Sequence, residues 1–67
     1  MTPLELEKRA SALFGPRWQT ELARHTGVDA RTVRRWKAGT TDVPPWLNAL
    51  LHAWETLRAL GVTVGDW

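Results

Sequence analysis

The chain has 67 residues, no cysteine and a net charge of +2, which limits it to one small domain with neither disulfides nor a thiolate metal site. It holds no run of about 18 apolar residues and opens on no charged-then-apolar leader, so a cytoplasmic protein is expected. Below about 70–80 residues a single core supplies only a few kcal/mol, and association with a second copy is a common remedy.

The first predicted helix runs from Pro3 to about Phe14. Thr2 and Glu5 have capping-box spacing, and Pro3 takes the first helical position. Leu6, Ala10, Leu13 and Phe14 share one face, which makes this a backing helix. Gly15 and Pro16 end it, and Pro16 is suited to open the next helix. In that second helix Leu22 and Ala23 face inward, the small Ala23 letting two helix backbones cross closely. Gly27 stands where a turn needs positive φ, and Val28 closes the turn over the core.

The third predicted helix, Ala30 to Ala38, is bounded by Asp29 as N-cap and Gly39 as a left-handed terminator. At 100° per residue Arg31, Arg34, Arg35 and Ala38 fall within about 100° of one another, and Val33 and Trp36 lie opposite. One side of this helix can therefore be buried while the other is offered. The loop from Gly39 to Val43 is short and polar.

A fourth helix is predicted to begin near Asp42–Pro45, about residue 43, and to run to about Leu60 before Gly61. Its apolar residues cover an arc of about 200°, roughly twice what one core needs. A homodimer interface is one reading, formed by Trp46, Leu50, Trp54 and Leu57 with Val62 and Val64 of the tail. The other is a small domain that wraps two core directions around one helix. Trp36, Trp46 and Trp54 are expected in core or interface, Trp18 over the core in preference to a nucleic-acid sugar, and Trp67 either frayed or at a dimer contact.

Charge is unevenly spread. Between Arg17 and Lys37 six cations (Arg17, Arg24, Arg31, Arg34, Arg35 and Lys37) face two anions, Glu21 and Asp29, whereas the remainder carries −2. Concentrated positive charge attracts phosphates, although a short run of arginines is also the ordinary form of a solvated face.

The segment from Gln19 to Gly39 resembles the helix-turn-helix of the phage repressor and Cro (XRE-type) family, including its small phage and bacterial members and the anti-CRISPR-associated type. An alanine, a glycine and a branched aliphatic recur there at the fifth, ninth and fifteenth motif positions, here Ala23, Gly27 and Val33. The run Arg31–Trp36 followed by Gly39 and Pro44 is also similar. The family often has Ser or Thr where this chain has Trp18. The resemblance implies an all-α, four- to five-helix lambda-repressor-like domain spanning residues 1–67, with the motif at about 16–39.

By the same resemblance, the function would be sequence-specific binding of double-stranded DNA, as a dimeric repressor in a bacterial cell or phage-infected host. Ala30, Arg31 and Arg35, with Arg34 beside them, match the positions that face base edges. Gln19 matches the phosphate-binding position, and Arg17, Arg24, Lys37, Thr40 and Thr41 are further phosphate candidates. The alternative is a protein-interaction module, such as an antitoxin or a sigma-binding adaptor.

Catalytic material is sparse. Ser11, His25 and His52 are the only nucleophile–base candidates besides threonines, and nothing in the sequence places them together. His25 is expected to cap its helix or meet solvent, and His52 to pair with Glu55 three residues on. No metal, cofactor or small-molecule ligand is expected, and no enzymatic activity.

Overall fold

Thr2 starts the first helix: its hydroxyl accepts from the Glu5 amide at 3.2 Å, and Pro3 follows without an amide to satisfy. The computed structural model describes residues 1–62, so Val64 and Trp67 lie outside the described residues. Helix α1 spans Pro3–Phe14, a 3-10 turn spans Gly15–Arg17, and helices α2, α3 and α4 span Trp18–Thr26, Ala30–Ala38 and Pro45–Ala59. The protein is all-α, with no strand among the described residues.

Each boundary has a local cause. Gly15 ends α1 at φ 79°, and Pro16 lies in the 3-10 turn, so α2 begins at Trp18 and not at Pro16. Gly27 ends α2 in the left-handed region at φ 75°, its amide donating to the Ala23 carbonyl at 3.0 Å. The Thr26 hydroxyl donates to the Leu22 carbonyl and accepts from the Val28 amide, so the turn's backbone groups find partners before α3 begins. Helix α4 starts at Pro45, later than residue 43, because a residue that precedes proline is driven extended. Pro44 does this at ψ 149°.

The core contains Leu6 and Ala10 of α1, Trp18 and Leu22 of α2, Val33 and Trp36 of α3, and Leu47, Leu51 and Trp54 of α4. Ala23 and Val28 are half-buried against it. Of the two places expected for Trp54, core or interface, the structure has it in the core, 4% exposed. Its indole meets the Phe14 ring edge-on, with centroids 5.5 Å apart.

His25 also differs from expectation. Its side chain is 7% exposed and packs between Phe14 and Trp54, with ring centroids at 5.1 and 6.1 Å. Nδ1 lies 2.8 Å from the Glu21 carbonyl oxygen, so the ring donates one turn back along α2. Helical spacing put His25 near the end of α2, but the aromatic slot between α1 and α4 is a tertiary feature. Among the described residues, Nε2 of His25 is the one buried side-chain nitrogen or oxygen with no partner.

Glu55 is joined not to His52 but to Arg9, across the α1–α4 contact. The guanidinium donates through Nε at 3.0 Å and Nη2 at 2.7 Å to the two carboxylate oxygens, and through Nη1 to Asn48 Oδ1 at 2.6 Å. A two-point guanidinium contact outcompetes an imidazole three residues away on the same helix. The Arg9 hydrogen bond holds the Glu55 carboxyl below the ordinary carboxylate range, with burial opposing it and the Arg9 charge reinforcing it.

Because the folded-state value is depressed, the stabilisation is present at neutral pH and is lost as pH falls through the folded value. Replacing Glu55→Gln should cost about 0.5–1 kcal/mol at pH 7, the range for a partly exposed pair. The difference from wild type should vanish in strong acid, as read by urea unfolding at both pH values. Val33→Asp should abolish the helical circular dichroism signal at 25 °C, because it sets an unpaired carboxylate in a fully buried position.

Candidate nucleic-acid interface

Helix α3 is short and its two faces differ completely. Val33 is fully buried and Trp36 is 3% exposed, while Ala30, Arg31, Arg34, Arg35 and Lys37 are exposed. With two anchors on one side, the rotation of the helix is set and the guanidinium groups share the outer side. Asp29 caps the start: its carboxylate Oδ1 accepts from the Arg31 amide at 2.9 Å. Gly39 ends the helix at φ 79°, its amide donating to Trp36 and that of Thr40 to Arg35.

The start of α2 lies beside the start of α3. A cleft of about 290 Å³ is lined by Pro16, Arg17, Gln19 and Thr20 from the first part and by Ala30 and Arg34 from the second. Two guanidinium groups, an amide and a hydroxyl thus border one concavity. Arg17, at the N-cap position of α2, makes no side-chain capping bond, and the Trp18 amide donates back to the Gly15 carbonyl of the 3-10 turn. The side chains around the cleft suit an oxyanion. Pro16 and Thr20 were not singled out from the sequence. Thr20 follows Gln19 directly on the exposed side of α2, and that adjacency was the available signal.

Not every expected cation joins this group. Arg24 is paired along α2 with Glu21, Nη2 to Oε2 at 2.7 Å, and it borders a different cleft with His25, Leu50 and Trp54. The three-residue spacing brings the two charges together on one helical face. That bond holds the Glu21 carboxyl below its ordinary range, against desolvation and with help from the charge of Arg24. Arg24 thus stands apart from the cations at the first cleft. By contrast, no ion pair engages Arg17, Arg31, Arg34, Arg35 or Lys37 among the described residues.

Thr40 donates its hydroxyl proton to the Arg35 carbonyl at 3.3 Å, extending the helix cap, while Thr41 is exposed with no hydrogen bond among the described residues. Ser11 donates to the Lys8 carbonyl, and no hydrogen bond joins it to either histidine. No helix among the described residues is long and apolar enough to cross a membrane. Compared with known proteins, the chain matches no family model, no curated protein and no solved structure.

The cap makes α3 locally testable. Asp29→Ala should cost about 1 kcal/mol in denaturant unfolding, whereas Asp29→Asn should be nearly neutral because its side-chain oxygen still accepts. Equal losses in the two variants would remove the cap as the reason the helix begins there.

Proposed function

We propose that this protein is a sequence-specific, double-stranded DNA-binding regulator, with α2 and α3 forming a helix-turn-helix in a lambda-repressor-like domain. The observation that carries the reading is the outward face of α3, where Arg31, Arg34 and Arg35 are exposed and unpaired while Val33 and Trp36 anchor the reverse side. A helix of nine residues with that division fits a major groove.

In this reading Arg31 and Arg35 each offer two donors to the O6 and N7 of a guanine, and Ala30 offers methyl contact to a thymine. A good two-point contact is worth about 1–3 kcal/mol of discrimination. Arg34 sits between base-reading and phosphate roles, because it also borders the cleft at the start of α2. A backbone phosphate would lie in that cleft, held by Arg17 and Gln19, with Lys37 and Thr41 as outlying contacts. Two copies would read an inverted repeat with half-sites about 34 Å apart, and occupancy of a promoter would repress it.

The test is site selection from random duplexes followed by salt titration. Arg31→Ala and Arg35→Ala should each weaken the selected site about 10- to 100-fold and relax one base position. Gln19→Ala should weaken all sequences about equally, and Arg24→Ala should change little. Retained base preference in both arginine variants would remove them as readers. A chain that binds selected and scrambled duplexes alike would be a nonspecific binder, and one that binds neither would be a protein-interaction module.

A further inference from the structure

The aromatic slot that takes in His25 leaves one of its polar atoms unsatisfied. Nδ1 lies 2.8 Å from the Glu21 carbonyl oxygen. A carbonyl can only accept, so Nδ1 carries the ring proton, and Nε2 of the neutral imidazole holds a lone pair. Among the described residues that nitrogen is buried with no hydrogen-bond partner. Buried polar atoms in folded proteins are nearly always paired, so an orphan at this depth needs a cause.

The same side chain borders a cleft of about 460 Å³, whose other borders are Arg24, Leu50 and Trp54. That volume lies within the ordinary range for small-molecule sites, about 300–1,000 Å³, which combine apolar walls with a few placed polar groups. Leu50 and the Trp54 indole supply the apolar wall, and Phe14 meets the imidazole with ring centroids 5.1 Å apart. Arg24 brings a charge, but its Nη2 is bound to Glu21 Oε2 at 2.7 Å, so that border is electrically balanced.

We propose that this cleft binds a small, uncharged aromatic molecule with one hydrogen-bond donor, of which a simple phenol is the type. Each requirement has its own source. A flat, apolar body suits Leu50 and the Trp54 indole. Neutrality follows from the Glu21–Arg24 pair, since a carboxylate guest has to displace Glu21 and an ammonium guest meets Arg24. The donor follows from the tautomer: Nε2 accepts, and a guest hydroxyl supplies the bond that the chain withholds. Nε2 is covered while the cleft is empty, so the guest reaches it by moving a border. Arg24 is exposed and Leu50 half-buried, which makes them the movable ones, whereas Trp54 is held in the core. Sequence alone implies no small-molecule ligand, because the cleft exists only where α4 meets the end of α2. It shares no residue with the cleft at the start of α2, so phenol binding stands or falls independently of DNA.

The probes are phenol and anisole, which share a ring and an oxygen but differ in that only phenol donates. Each is titrated to about 10 mM at pH 8 while the ring nitrogens of His25 are followed by long-range proton–nitrogen correlation. Phenol should bind with a Kd of about 1 mM or tighter and move the Nε2 signal toward that of a hydrogen-bonded acceptor. Anisole should bind about tenfold more weakly. His25→Phe keeps an aromatic ring in the slot and removes the lone pair, so the tenfold preference should fall to about one. Leu50→Trp, at the half-buried border, should fill the cleft and abolish binding of both probes while the helical signal persists. The comparison of the two probes on the unaltered protein needs no variant to fold. Equal affinity for phenol and anisole, a preference that survives in His25→Phe, or an Nε2 signal that phenol leaves unmoved would overturn the site.

Discussion

Val33 and Trp36 hold α3 to the rest of the protein, and the orientation of every arginine on that helix depends on them. They are its only buried residues. A helix of nine residues has little stability of its own in water, so its position comes from what it buries. Removing either anchor from the core would free the helix to turn, and the outward grouping of Arg31, Arg34 and Arg35 would disappear with it. The polar side is thus defined by the apolar one. Asp29 and Gly39 only decide where the helix begins and ends.

The cations divide by what each can reach. Arg9 meets a carboxylate across a helix contact, and Arg24 meets one along its own helix, so both charges are already compensated within the fold. Around α3 the only anion within the sequence segment is Asp29, and its Oδ1 is engaged by a backbone amide. Among the described residues, the five cations Arg17, Arg31, Arg34, Arg35 and Lys37 make no ion pair. Such a surface costs some stability, and an external polyanion would relieve it.

Much of this was legible from local sequence signals. The bounds of α1 and α3 follow from Thr2, Pro3, Asp29 and Gly39, since caps and left-handed glycines act within a few residues of the chain. The inward sides of those helices follow from spacing alone. What escaped was tertiary. His25 reads as a polar residue near a helix end, and only the slot between Phe14 and Trp54 draws it inside. Glu55 reads as a partner for His52 until the packing of α1 on α4 brings Arg9 to it. Trp54 and Trp46 look alike on a helical plot, and which of them enters the core depends on how α4 is rotated against α1. Of the expected interface, Trp46 and Val62 are exposed and Leu50 and Leu57 half-buried, while Trp54 is in the core. The pairing of the start of α2 with the start of α3 at one cleft was likewise hidden, because it depends on the crossing of the two helices.

Trp46 connects the two halves of the molecule. Its ring meets Trp36 in a T-shaped contact with centroids 6.2 Å apart, yet almost half of its surface stays open. Trp36 is one of the two anchors of α3, so whatever covers Trp46 also presses on the support of that helix. If a second copy supplies the cover, its burial and the fixing of α3 become parts of one equilibrium. Any ligand that prefers α3 firmly seated would then favour the associated form by mass action, and association would favour that ligand to the same degree. The core reaches Leu50 and Leu57 of α4 only in part and leaves Trp46 and Leu60 open. The exposed indole is where that deficit and the orientation of the arginine helix meet.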